Sequence, residues 1–560
     1  MRIRLMQATV VLFGVASAAA FGRLLPNAPD TKYDPTAETL KGIKQLKVKP
    51  LDWPMWGGTS IRSNTPDGKN IATDWDVQKG TNILWEAKLG SQTYGNPVVA
   101  NGKVFIGTNN GAGYLKRIPS DKDLGVLLAF DEATGKFLWQ LSRDKLPTGR
   151  VHDWPLLGFC SSPLTEGDRV WCVTNRNELV CLDTEGFLDG ENDGPYKEEP
   201  NENKDEADVV WSLDFMAKLG VSQHNACSCS VTLAGDVLFV CTSNGVDEAH
   251  YKVQYPDAPS FLAVNKNTGA VIWSDNSPGS NVMHGQWSSP TYAVLGGQAQ
   301  VLFPGGDGWL YSFDPKGDNG KSKLLWKFDC NPKESLYALE RATRNHLIGT
   351  AVVYDGLVYI GVGEDPEHGE GNGHLWCINP TKRGDVSPEL VFNKADPNKP
   401  IAYKRLKACE PEKGDFTKPN PNSALVWHYV GEDPQVFDKA MHRTLGTGVA
   451  KNDLLFIADQ GGLFHCLDAK TGKPHWTHDM LAACWGSALI VEDKVYVGDE
   501  DGDICIFELS PTKKLINELN MGSSVYSTPI VANNVLYIAR KDELYAIAPG
   551  AKPAKTKSSE

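Results

Sequence analysis

The sequence predicts an all-β chain: a single eight-bladed β-propeller with four antiparallel strands per blade, its ring closed by an N-terminal strand. Three observations predict it. First, a short β-run recurs eight times: VFIGT from Val104, VWCVT from Val170, LFVCT from Leu238, VLFPG from Val301, VYIGV from Val358, LFIAD from Leu455, VYVGD from Val495 and LYIAR from Leu536. Each is dense in β-branched and aromatic residues. Second, the runs at 455, 495 and 536 start 40 and 41 residues apart, the length of a four-stranded blade. Third, a chain of 560 residues outgrows a single ordinary core, and repetition is one way to fold it.

Within a unit the order is constant. A first strand such as NPVVA or STPIVA leads through an NG or NN turn into the β-run. A third strand then ends in a small residue followed by Asp or Asn, and a fourth strand carries Trp. Three copies are nearly ideal: AFDEATGKFLW (Ala129–Trp139), AVNKNTGAVIW (Ala263–Trp273) and CLDAKTGKPHW (Cys466–Trp476). Asp or Asn with Thr-Gly makes a tight hairpin turn that needs positive φ at Gly135, Gly269 and Gly472. The Trp then covers the gap to the next blade. Weaker copies end at Trp211, Trp326 and Trp427, and the seventh unit, IFELSPTKKLINELN, has no Trp. The eighth stops at LYAIAP without a fourth strand, whereas NILWEAKL around Trp85 is a fourth strand without a blade. Asn82–Leu89 is therefore predicted to pair with the strand around Leu544–Ala548.

The flanks read differently. Arg2 and Arg4 precede an apolar run from Ala8 to Ala20 with small-x-small steps, which predicts a signal peptide over 1–20 and a periplasmic or secreted product. Residues 21–52 read as an N-terminal extension, 53–549 as the propeller and 550–560 as a disordered tail. No later run is apolar enough to span a bilayer. With 56 Lys and Arg against 69 Asp and Glu the net charge is −13, which argues against a sequence-independent hold on nucleic acid or anionic lipid. Export permits disulfides. Cys181, Cys377 and Cys466 nevertheless share one repeat position, filled elsewhere by Ala129, Ala263, Ser312 or Ala546, and are predicted to be buried thiols in separate blades, too far apart to bond. If any pair bonds, it is expected to be Cys160 with Cys227, from adjacent mouth loops. The sequence has neither a C-x-x-C-H haem site nor a paired C-x-x-C zinc pattern.

Strand parity sorts the loops. The polar insertions Leu188–Asp208 and Gly384–Ser423 follow third strands and are expected to be loosely ordered excursions on one face. The other face collects the chemistry. His152, His224, His284, His346 and His442 each precede the first strand of five successive units, and Arg344, Arg443, Trp154, Trp287, Trp485, Cys160, Cys227 and Cys484 share those loops. The loops between second and third strands add Asp247, Glu248 and His250, and Glu364, Asp365, His368, Glu370 and His374. Five of twelve histidines in one loop type predict a funnel that binds a cofactor, metal or small ligand. His284, His346, His442 and Glu364 are the predicted metal ligands, and His152 and His224 the predicted cofactor contacts. Imidazole suits transition metals and carboxylates suit Ca or Mg. Basic residues at this mouth would attract an anionic quinone, carboxylate or sugar acid.

The eleven-residue pattern small-x-Asp/Asn-x-x-Thr-Gly-x-x-x-Trp resembles the tryptophan-docking repeat of pyrroloquinoline quinone (PQQ)-type propellers, over about Trp53 to Pro549, and WPMWGG at 53–58 resembles their opening. In the quinoprotein dehydrogenases of that group the resemblance implies PQQ and Ca²⁺ in the propeller centre, with a stacked Trp, an Arg at the quinone carbonyls and an Asp base. By position, Trp287 or Trp485 would be the stacking floor, Arg344 or Arg443 the carbonyl partner, and Asp247 or Asp365 the catalytic base. The sequence departs from those enzymes in having no vicinal Cys-Cys pair and no covalently held haem. The same resemblance implies a second reading, a non-catalytic BamB-like scaffold that binds an envelope protein, although no lipobox cysteine follows the signal. A third reading, acid–base cleavage of a carbohydrate or polyanion by His and carboxylates, finds no G-x-S-x-G or H-E-x-x-H motif.

Overall fold

The computed structural model describes residues 48–331, 345–363, 372–404 and 409–551. The segment predicted as a signal peptide, most of the predicted extension, the residues beyond 551, and Arg344, Glu364, Asp365, His368 and Glu370 lie outside the described residues. The chain forms eight four-stranded antiparallel blades. Seven use consecutive repeats: blade one runs from Val98–Ala100 to Phe137–Asp144, blade three from Thr232–Ala234 to Val271–Asp275, and blade seven from Leu489–Val491 to Leu515–Asn520. Blade eight contributes Ile530–Ala532, Val535–Ala539 and Glu543–Ile547, and its fourth strand is Ile83–Lys88, antiparallel to Glu543–Ile547. No helix among the described residues is long and apolar enough to cross a membrane.

The core is annular because each sheet buries both faces against its neighbours. One apolar cluster joins blades one and two through Phe105, Trp139 and Val170; another joins blades eight and one through Tyr537, Leu544, Val104 and Phe130. The repeat explains the seam. Trp139 Nε1 donates to Thr184 O in blade two, Trp211 to Lys266 O in blade three, Trp273 to Pro315 O in blade four, Trp476 to Ser510 O in blade seven and Trp85 to Glu132 O in blade one. Each indole also lies on the next blade's hairpin glycine where one is present. A Cβ on Gly135 would come within 2.5 Å of Trp85, one on Gly269 within 2.7 Å of Trp211, and one on Gly472 within 2.5 Å of Trp427. The glycine thus serves a positive φ and a close approach together. Across the blade, the small residue of the repeat is the Trp's cross-strand partner: Ala129 with Trp139, Cys181 with Trp211, Cys377 with Trp427, Cys466 with Trp476 and Ala546 with Trp85. No disulfide joins cysteines among the described residues. Cys160 and Cys227 are not bonded to each other; the Cys227 thiol instead donates to Gln223 Oε1 at 2.9 Å.

Blade seven shows the rule by exception. Asn517 stands where Trp would, and the large Ile506 faces it. The vacancy at the seam is filled from the N-terminus: Trp75 is buried among Tyr496, Ile506, Met521 and Ile538, with Nε1 donating to Met521 Sδ at 3.2 Å. Asn517 Nδ2 and Tyr496 Oη tie the same segment through Thr73 O and Ala72 O.

Upstream of Trp75 the chain straps the channel from within. Trp53 bridges Val99, Thr165 N donates to Pro54 O, Tyr292 N to Ser60 O, Val353 N to Ile61 O, Ile490 N to Asn64 O and Asn533 N to Leu51 O. Six blades are reached by backbone bonds. Arg62, 1% exposed, reaches blade three: its guanidinium donates to Ser230 O, Val231 O and Thr232 Oγ1 as well as to Trp56 O and Pro290 O.

Among the described residues, both insertions are more ordered than their polarity predicts. In the first, Gln140 N donates to Asp205 O and Ala207 N to Gln140 O, which covers the outer strand of blade one. In the second, Gly384–Asp385 adds a fifth, parallel strand to blade four, and Glu389–Asn393 pairs with Asp415–Pro419 as a separate hairpin. Edge backbone groups seek partners whatever the side-chain composition.

Candidate functional site

The loops entering the eight first strands surround one mouth of the channel, next to the strap. Two residues before each first strand stands Asn, Ser or Thr: Asn96, Ser162, Ser230, Ser289, Thr350, Thr447, Ser487 and Thr528. Their side chains link neighbouring blades. Asn96 N donates to Ser162 Oγ, Ser162 N to Ser230 Oγ and Ser230 N to Ser289 Oγ; Thr350 N donates to Thr447 Oγ1, Thr447 N to Ser487 Oγ, Ser487 N to Thr528 Oγ1 and Thr528 N to Asn96 Oδ1. These seven bonds, 2.6 to 3.2 Å long, form a girdle of short polar side chains.

Inside the girdle is a cavity of about 450 Å³. All eight entry loops line it, and Trp56 of the strap contributes to its surface. Its aromatic residues are Trp56, Tyr94, Trp154, Trp287, Trp485 and Tyr526. Tyr94 and Tyr526 stack at 5.0 Å with planes 19° apart, and Trp485 packs on both. Trp485 Nε1 donates to Glu500 Oε2 at 2.9 Å, while Trp287 Nε1 donates to His224 O at 3.0 Å, so each indole is held by its polar edge. Among the described residues no Asp, Glu, Lys or Arg lines the cavity.

The structure divides the predicted site residues. Trp287, Trp485 and His284 line the cavity. His224 and His284, 1% and 0% exposed, have ring centroids 4.6 Å apart, and His346 lies 5.9 Å from His284 and 5.4 Å from Trp287. His250 joins this group, 4.7 Å from His224 and 4.6 Å from His284. His152 faces away, its Nδ1 bonded to Thr148 Oγ1 and its Nε2 to Ser222 Oγ, and burial lowers its pKa. His442 sits in blade six, its backbone N donating to Asp459 Oδ2 and its Nδ1 3.3 Å from the same oxygen. Arg443 borders a small separate pocket with His442, Phe437 and Gln460. Asp247 accepts Tyr251 N, as the anchor of a turn.

Sequence reasoning did not single out Trp56, Tyr94, Tyr526 or the girdle. The girdle had a readable signal, since Asn, Ser or Thr occupies the same place in all eight aligned units. The two tyrosines and Trp56 had none, because only the closed ring brings entry loops and strap together.

A family model described as outer membrane protein assembly factor BamB matches residues 50–193 and 419–547. Among solved structures, the quinohemoprotein alcohol dehydrogenase from Comamonas testosteroni is 14% identical, covers 93% of this chain and 85% of its own, and has a TM-score of 0.56. BamB from Moraxella catarrhalis is also 14% identical, over 83% of this chain and 96% of its own, with a TM-score of 0.46. At such identity the likeness to the dehydrogenase is one of fold. A search of curated proteins returns no match.

Proposed function

From a chain built of PQQ-like propeller repeats, we propose that the protein is a ligand-binding propeller of an extracytoplasmic compartment whose central cup takes a small, flat, uncharged ring. One observation carries the reading: the cavity is walled by six aromatic side chains and, among the described residues, by no charged one. Flat rings gain from indole and phenol faces, and Asn225 and Ser228 supply polar atoms that orient them. Such walls would suit the faces of a quinone ring, but the charged partners expected for PQQ are not among the described lining residues, since Arg443 borders a different pocket and Asp247 anchors a turn. PQQ carries carboxylates that need cations, so an uncharged ring suits this lining better.

Native mass spectrometry of protein purified from its own compartment tests this. We expect one small organic molecule per chain, released on denaturation, and absent from folded Trp485→Ala. Wild-type protein that carries nothing and takes up no neutral aromatic ring, or that takes up PQQ in preference to one, would overturn the proposal. A second reading, an envelope scaffold, is supported by apolar side chains exposed in loops of the same face: Tyr251 at 64%, Phe437 at 52% and Leu481 at 86%. The two readings separate by mutation. Serine at these three positions would abolish co-purification of an envelope protein if the scaffold reading holds, and would leave the cup's ligand untouched.

A further inference from the structure

Beside the cup, three imidazoles converge from two neighbouring blades. His224 comes from the loop entering blade three, His284 from the loop entering blade four, and His250 from the long loop between the second and third strands of blade three. One ligand atom from each lies within 4.8 Å of the other two. We infer that His224, His250 and His284 form a binding site for a first-row transition-metal ion such as Zn²⁺ or Cu²⁺, with an open coordination position.

Four features support it. The His224 Nδ1–H donates to Val246 O at 2.8 Å, so the neutral ring carries its lone pair on Nε2, the tautomer a metal requires. The carrier loops are tied together, Val246 N donating to His284 O at 2.9 Å and Trp287 Nε1 to His224 O. Gly245 is the hinge of this packing: a Cβ there would come within 2.6 Å of both His224 Cβ and His284 O. Finally, the donor set is all nitrogen. Hard Ca²⁺ and Mg²⁺ take oxygen ligands, whereas imidazole suits Zn, Cu and Ni. Nitrogens around a tetrahedral ion at about 2.0–2.1 Å stand roughly 3.3 Å apart, which small ring rotations within the observed spacing reach. Three protein ligands leave one position for water or for a ligand atom, as in catalytic rather than structural zinc sites. His284 belongs to both the triad and the cavity wall, which sets the triad beside the cup.

The inference stands apart from the identity of the cup's ligand and is tested with metal alone. Full-length protein is stripped with chelator and titrated separately with Zn²⁺, Cu²⁺ and Ca²⁺ by calorimetry, and with Co²⁺ by visible absorption. We expect one Zn²⁺ or Cu²⁺ per chain, no comparable uptake of Ca²⁺, and Co²⁺ bands of low-coordinate nitrogen ligation. His250→Ala, in a partly exposed loop, should keep the wild-type melting temperature without metal and lose at least tenfold in Zn²⁺ affinity. His224→Ala should behave likewise in affinity. His475→Ala, on an exposed strand, serves as the control and should bind as wild type does. Absence of any bound ion, Ca²⁺ binding as tightly as Zn²⁺, or unchanged affinity in folded His250→Ala and His224→Ala would each overturn it.

Discussion

At the scale of single residues, Arg62 does work that its position in a linking segment hides. A buried guanidinium that satisfies backbone carbonyls from three stretches of chain is costly to remove, because those acceptors stay buried without a donor. Burial lowers its pKa only to about 10, so it remains charged at neutral pH. Arg62→Ala should destabilise the fold by about 3–5 kcal/mol in chemical denaturation. Glycine offers a controlled pair. Gly102 and Gly135 both have positive φ, at 83° and 68°, but a Cβ on Gly102 meets nothing within 4 Å whereas one on Gly135 runs into Trp85. Gly102→Ala should cost about 1 kcal/mol, the backbone term alone, and Gly135→Ala clearly more. Equal melting temperatures for the two would show that the indole yields. Gly135 was readable from its Thr-Gly turn, but the second demand on it was not, because the Trp that presses on it belongs to the blade at the other end of the chain.

At the scale of elements, the blade is legible and its repair is not. The β-run, hairpin turn and Trp recur in sequence because each strand alternates or buries its residues in a fixed pattern. The eight units in the structure follow those runs, and Cys181, Cys377 and Cys466 are buried, free and opposite Trp. The missing Trp of blade seven was visible as a gap. That Trp75 fills it was not, since nothing in local pattern ties residue 75 to residue 506. Trp75→Ala should therefore destabilise the protein as much as Trp476→Ala, each by about 3–5 kcal/mol, measured as a shift in denaturation midpoint. A much smaller loss at Trp75 would mean that Ile506 alone seals the seam. The candidate site was half legible for the same reason. Parity assigned His224, His284, His346 and Trp287 to one face, and they meet there, but parity carries no information on depth or direction: His152 turns to Thr148 and to Ser222 of the neighbouring entry loop, and His442 to Asp459.

At the scale of the whole molecule, buried carboxylates set how stability responds to acid. Burial pushes Asp183, Asp208 and Asp499 up to about 6. Unfolded, they ionise near 4, so between about pH 4 and 6 the folded chain holds more protons and these groups make stability fall as pH rises. Asp459 acts in the opposite sense: burial works to raise its carboxyl, but hydrogen bonds from His442 and His465 outweigh it and hold it well below the usual range. Its contribution is present above pH 4 and disappears only in strong acid. Asp208→Asn should accordingly raise the melting temperature at pH 7 more than at pH 4; an equal effect at both would show that the carboxyl ionises freely in the native state. The strand Ile83–Lys88 has a consequence of another kind. It is synthesised long before its partner Glu543–Ile547, and Gly550 N donates to Asn82 Oδ1 across 468 residues of sequence. Contacts so distant along the chain form late and slowly. During synthesis the first seven blades must wait as an unfinished arc whose two ends expose sticky faces, and the nascent protein depends on being kept from its neighbours until the clasp can fasten.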